Sequence, residues 1–226
     1  TGTATEDEVL TADTSTLADA DGLGGLSYQW SRNGSPIDGA TSDNYTLTQD
    51  DVGTAITVRV SYTDDEGTAE SVTSSATSLV VNVNDDPTGT VTISGTTTQG
   101  EELTASNNLT DEDGMTTSTV SYQWKRDNVA IDGATSSTYT LAQADVGAAI
   151  TVTASYTDDF GQAESVDSSP TSAVTNVNDS PTGGVTITGT PTEDQVLTAD
   201  TTTLADEDVL GVLNYQWSRD GSPIDG

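Results

Sequence analysis

The chain has 226 residues and a formal net charge of −32, from 37 acidic against 5 basic side chains, with no Cys and no His. That composition leaves no disulfide framework, no thiolate chemistry, no His-assisted nucleophile and no imidazole metal ligand. So acidic a chain repels nucleic acid and anionic lipid, and cations are its natural counterpart.

No run of about 18 apolar residues is present to span a membrane. No basic segment precedes an apolar core near Thr1, so a signal peptide is not expected there. Leu, Ile, Val and Phe make up only about 18% of the chain, a level that with high net charge usually signals disorder. The apolar residues are patterned, however, and the acids are grouped. A fold held together by something positive is the reading that fits both.

An internal repeat organises the sequence. Tyr28-Gln29-Trp30 returns as Tyr122-Gln123-Trp124 and as Tyr215-Gln216-Trp217, and Ile37-Asp38-Gly39 returns as Ile131-Asp132-Gly133 and Ile224-Asp225-Gly226. Asn82 to Pro87 is echoed by Asn176 to Pro181. A period above 90 residues exceeds the solenoid range and matches an independently folding domain. The expected units are residues 1–87, 88–181 and 182–226. Only the middle one is whole: the first lacks the counterpart of Thr90 to Ile93 and the third stops about halfway. A window onto a longer protein is expected, with no stable third domain from these residues alone.

Within a unit, period-2 alternation predicts strands and helical periodicity is absent. In the first copy Leu26, Tyr28 and Trp30 share one strand face, and Ile56, Val58, Val60 and Tyr62 another. Asn33-Gly34, Asp38-Gly39, Asp51-Val52-Gly53 and Glu66-Gly67 are turn signals. In the middle copy strands are expected over 91–94, 103–107, 120–126 with Trp124 in the core, 138–141, 150–157 and 163–174. Ile150, Val152, Ala154 and Tyr156 repeat the alternating face. Short strands with turns every 8–12 residues mean an all-β antiparallel sandwich.

A core Trp, then Tyr-Thr-Leu, then Asp-Val-Gly before an alternating strand resembles an immunoglobulin-like domain, with Val152 where the second cysteine would be. The recurring Ser-Tyr-Gln-Trp, Asp-Gly-Ala-Thr-Ser, Ser-Tyr-Thr-Asp-Asp and Asn-Val-Asn-Asp elements resemble more narrowly the tandem Ig-like or cadherin-like repeats of giant bacterial surface adhesins. These are the type I-secreted kind that often carry RTX tails. The resemblance covers essentially the whole chain. It implies β-sandwich domains in a linear array.

The acids supply candidate ligands for Ca²⁺, a hard cation that takes six to eight oxygens. Asn82, Asn84, Asp85 and Asp86, before Pro87, look like the cadherin linker that clamps Ca²⁺, and Asn176, Asn178 and Asp179 stand at the second linker. An Asp-x-Asp pair follows the second strand in every copy: Asp19 and Asp21, Asp111 and Asp113, Asp206 and Asp208. Two carboxylates so close repel, and a divalent ion relieves them. The resemblance puts that loop, and the later Asp158-Asp159 loop, at the end facing the preceding linker. Glu6 and the Asp50-Asp51 corner would add ligands from the other side. A polar turn or a solvated acidic surface is the plain alternative for each group.

Other patterns point less far. A Trp recurring at one core-facing strand position is a packing residue before it is a sugar platform. Carboxylates clustered in every unit differ from a single tuned hydrolytic pair.

The resemblance therefore implies a non-enzymatic structural extender. Its partners would be calcium ions and neighbouring repeats, in a rod-like monomer at the bacterial cell surface that projects a distal binding domain. A glycan- or cell-binding module, or an accessory repeat of a secreted hydrolase, are the alternatives.

Overall fold

Every second side chain of Ile56–Thr63 (strand β5 below) turns inward, so that Ile56, Val58, Val60 and Tyr62 are buried while their neighbours face out. Strand formation here follows from β-branched and aromatic residues on a half-buried pleat. The same pattern runs through the computed structural model, which describes residues 1–225. Gly226, the last residue of the third expected repeat, lies outside the described residues.

The first strands are β1 (Val9–Thr11), β2 (Ser27–Arg32), β3 (Ser35–Pro36), β4 (Asn44–Thr46), β5 (Ile56–Thr63) and β6 (Ala69–Thr73). They form a four-stranded sheet in the order β3-β2-β5-β6 and a two-stranded sheet β1-β4. Leu10 and Leu47 meet Trp30, Ile56, Val58 and Val80 in one buried cluster, which makes the pair of sheets a sandwich. On its open side a cavity of about 550 Å³ reaches Leu10, Trp30, Ile56 and Val58.

The next strands are β7 (Val91–Ser94), β8 (Glu102–Asn107), β9 (Ser121–Arg126), β10 (Val129–Ala130), β11 (Thr138–Thr140), β12 (Ile150–Thr157) and β13 (Ala163–Asp167). Their sheets are ordered β10-β9-β12-β13 and β11-β8-β7. This is the immunoglobulin-like arrangement, with the first, second and fifth strands in one sheet and the third, sixth and seventh in the other. Val152 is wholly buried, so the core closes there by packing without a disulfide.

The expected strands are present to within one residue at each end except the last, and the short β10 is an addition to them. Strand β13 ends at Asp167 rather than running to 174. Beyond it Ser168 N donates to Val152 O and Thr171 N to Ile150 O, both within 3.0 Å. Three residues thus advance against two, which is a bulge. Ser168 Oγ and Thr171 Oγ1 accept from Val152 N and Ile150 N at 3.0 Å, so hydroxyls replace the carbonyls of a regular ladder. Ser74 and Thr77 do the same for Val58 and Ile56.

Two repeated motifs prove to be one device. Gln29 Nε2 donates to Trp30 O at 2.9 Å and to Ile37 O at 2.8 Å, and Gln123 does the same to Trp124 O and Ile131 O at the same distances. The amide therefore ties the Tyr-Gln-Trp strand to the Ile-Asp-Gly turn. Trp30 and Trp124 are core residues whose indole N–H reaches Ser42 O and Ser136 O at 2.9 Å.

Two further hairpins, β14 (Thr186–Thr188) with β15 (Thr198–Asp200) and β16 (Ser218–Arg219) with β17 (Ser222–Pro223), follow. Around them Ile187, Val196, Val212 and Trp217 remain exposed.

The described residues divide into two compact units. One takes Thr1–Gly89 with Leu109–Val120 and Ser155–Ser165; the other takes Thr90–Asn108, Ser121–Ala154 and the chain from Val166. No helix among the described residues is long and apolar enough to cross a membrane.

Candidate metal centre

The first linker is set in place by backbone pairing. Glu6 N donates to Val81 O at 2.9 Å and Val81 N to Ala4 O at 3.0 Å. That pairing lays Glu6 beside the linker, and Glu6 Oε2 accepts the Val83 N–H at 3.1 Å. Thr88 and Thr110 exchange backbone hydrogen bonds at 2.8 and 3.0 Å, which brings the Asp111–Asp113 loop to the same place. Asp113 Oδ2 then accepts the Asp85 N–H at 2.8 Å.

Glu6, Asp85 and Asp113 each bring one carboxylate oxygen within 4.8 Å of the other two. Glu6 and Asp113 are 2% and 1% exposed, and Asp85 is half-buried. Asp113 Oδ1 is buried with no hydrogen-bond partner. Burial removes water from charged oxygens. It raises the Glu6 carboxyl above its ordinary value, and the Asp85 and Asp113 charges push it the same way while the Val83 N–H opposes them. Asp85 is raised by burial first, then by the charges of Glu112 and Asp113. The Gln49 amide faces the same carboxylate: as a donor, its nitrogen lies 2.6 and 3.0 Å from the two Glu6 oxygens.

The Asp-x-Asp pattern divides into two jobs. Asp111 Oδ1 accepts the Asp113 N–H at 2.9 Å in an Asx turn, and its Oδ2 accepts the Tyr156 hydroxyl. Asp111 therefore holds the loop, and Asp113 faces the cluster. Asp19 repeats the first job with Asp21 N at 3.0 Å and Tyr62 Oη at 2.8 Å. Asp206 Oδ1 takes Asp208 N at 2.9 Å. The pair recurs because a short acidic side chain makes an Asx turn.

The remaining expected ligands lie outside the group of Glu6, Asp85 and Asp113. Asp159 has both oxygens taken by Thr116 and Thr117, and these hydrogen bonds pull it down to about 2. Its place is beneath Gly114, where φ is +85° and a β-carbon would meet the carboxylate. Asp158 Oδ1 accepts from Phe160 N and Gln162 N at 2.8 Å, and its Oδ2 is buried without a partner.

Asn84 is exposed and donates to Glu164 Oε1 at 3.0 Å. Asp86 is exposed and Asn82 half-buried in the linker.

Asp51, expected among the ligands, is instead the acid of a core network. It is wholly buried, with Arg32 Nε at 2.7 Å, Tyr45 Oη at 2.9 Å and Thr48 N at 2.9 Å. Both its oxygens are engaged by these donors, which explains a buried charge without an ion. Asp50 is exposed, 3.7 Å from Arg32 Nη1. Asp145 repeats the network with Arg126, Tyr139 and Ala142 N.

At the second linker Asp179 N donates to Asp208 Oδ2 at 2.7 Å and Asn178 Nδ2 to Asp179 O at 2.8 Å, while Asn176 is exposed. Gln49, Asp7, Glu112 and Glu164 were not singled out from the sequence. Of these Gln49 carried a legible signal, since Gln143 stands at the matching place one repeat later.

No family model matches this sequence, and no curated protein matches it. A solved structure described as an amphioxus IgVJ-C2 molecule is similar at 15% identity, over 74% of this chain and 94% of that one, with a TM-score of 0.30.

Proposed function

We propose that this chain is a spacer of immunoglobulin-like repeats, with units at 1–87, 88–181 and 182–226, from a secreted bacterial surface adhesin. Calcium ions at the linkers stiffen it, and it serves mechanics rather than catalysis. The observation that carries this reading is that Asp113, grouped with Glu6 and Asp85, has Oδ1 buried and unpartnered.

Carboxylate and carbonyl oxygens suit Ca²⁺, which tolerates irregular geometry, better than Mg²⁺, which demands an octahedron and keeps its waters. Glu6, Asp85 and Asp113 would hold the ion. Its charge would offset part of the −32 that otherwise drives acidic segments apart. Binding the ordered linker and not the disordered one also couples order to calcium concentration. Calcium is scarce inside a cell and abundant outside, so the chain would stiffen only after export.

Small-angle scattering and thermal melting of the 226-residue chain test this, in CaCl₂ and in chelator. Calcium is expected to raise the melting temperature and to lengthen and narrow the distance distribution, whereas NaCl of equal ionic strength does neither. Equal dimensions and equal melting in calcium and chelator would overturn the proposal.

A further inference from the structure

The two linkers carry the same scaffold around different chemistry. Val83 N donates to Glu6 Oε2 at 3.1 Å, and Val177 N donates to Gln99 Oε1 at 3.1 Å. Asp85 N donates to Asp113 Oδ2 at 2.8 Å, and Asp179 N to Asp208 Oδ2 at 2.7 Å. Glu6 and Gln99 therefore occupy equivalent places, with one backbone N–H holding each.

The difference lies at the other end of that side chain. Glu6 brings a carboxylate oxygen within 4.8 Å of oxygens of Asp85 and Asp113, and a carboxylate has nothing to donate. Gln99 presents Nε2, which donates to Asp179 Oδ2 at 2.8 Å.

A second amide completes the contrast. Gln143 Nε2 lies 3.4 Å from Asp208 Oδ1, whereas its counterpart Gln49 turns its amide to Glu6 and the corresponding Asp113 Oδ1 has no partner. What is left over at the second cluster is an amide oxygen, Gln143 Oε1, rather than a buried charge. The sequence shifts the same way around each site. Asp7 becomes Gly100 and Asp86 becomes Ser180, and Glu193-Asp194 restores the acidic pair in the third copy.

We infer that the two clusters differ in kind: the Glu6 cluster requires a divalent cation, and the Gln99 cluster is closed by an amide donor standing where the cation would be. An amide N–H given to a carboxylate oxygen relieves it with no net charge and no ion. The inference rests on the calcium reading above and narrows it to one cluster, so that calcium dependence resides in the Glu6 site alone.

The test is calorimetric titration of the 226-residue chain with CaCl₂, repeated for Glu6→Gln and for Gln99→Glu. Glu6→Gln is expected to weaken calcium binding by about tenfold or more, since ligand charge sets affinity in such sites. Gln99→Glu is expected to add a further bound ion. That variant is read as a gain, which a misfolded chain does not give, and both changes conserve side-chain shape.

Calcium uptake that ignores both substitutions would overturn this inference and leave the calcium reading standing. Uptake by neither the wild type nor Gln99→Glu would remove both.

Discussion

The backbone N–H of Asp85 donates to Asp113 Oδ2 across 2.8 Å, joining residues 28 apart in sequence. This bond fixes one oxygen of Asp113 and leaves the other, Oδ1, buried without a partner in a residue grouped with Glu6 and Asp85. Asp111, two residues earlier, spends both oxygens on the Asp113 N–H and the Tyr156 hydroxyl.

The two aspartates should therefore fail differently. Asp113→Ala is expected to abolish stabilisation by calcium. Asp111→Ala is expected to destabilise the chain in calcium and in chelator alike, by about 1–3 kcal/mol for lost hydrogen bonds to a charged group. Melting curves of both variants in the two conditions check this. A calcium response surviving in Asp113→Ala would contradict it.

Arg126 places Nη2 2.6 Å and Nε 2.7 Å from Asp145 Oδ1, and Asp145 is wholly buried. Removing the guanidinium leaves that carboxylate with only the Tyr139 hydroxyl and the Ala142 N–H. Arg126→Leu should cost about 3–5 kcal/mol, the usual consequence of stranding one partner of a buried pair. Urea unfolding measures it. A loss under about 1 kcal/mol, as at an exposed pair, would show that the charge is not held as described.

Gln123 ties its strand to the turn through Ile131 O and Trp124 O, both within 2.9 Å. Gln123→Ala should lower stability by about 1–2 kcal/mol and speed amide exchange around Ile131 and Ala134. Gln123→Glu should be worse still, since a carboxylate has no proton to give either carbonyl. Hydrogen exchange followed by mass spectrometry reads both.

The acid cluster predicts an unusual pH response. Glu6 and Asp85 are both raised, by burial first, above their ordinary 4.5 and 3.8. A carboxyl raised on folding binds its proton more tightly in the folded state, so its charge costs stability above the folded value. That cost is relieved as pH falls through it.

In cation-free buffer the melting temperature should therefore rise as pH is lowered from 7 toward 4.5, and Glu6→Gln should blunt the rise. Below 3.8 the sign reverses. Asp159, held at about 2 by Thr116 and Thr117, and Asp167, lowered by Thr153 and Lys125, lose their bonds once protonated. Calcium at pH 7 should flatten the upper limb, because the ion favours the charged form. A melting temperature that falls steadily from pH 7 downward would refute this account.

Much of the fold was legible because it is written locally. Ile150, Val152, Ala154 and Tyr156 alternate along one strand, and all four are buried. Asp-x-Asp was legible as a pattern but not as a division of labour. The residue that separates Asp111 from Asp113 in role is Tyr156, 45 positions away from Asp111. Likewise Asp51 reads locally as a surface acid, and only its pairing with Arg32, 19 residues earlier, makes it a core residue.

By itself the sequence determined the sandwich class, the repeat and the wealth of acidic oxygens, since alternation and recurrence are properties of neighbouring residues. Tertiary structure alone decided which oxygens meet. Bringing Glu6, Asp85 and Asp113 within 4.8 Å depends on Val81 pairing with Ala4 and Glu6 and on Thr88 pairing with Thr110. Those are backbone contacts between distant segments, and no local periodicity encodes them.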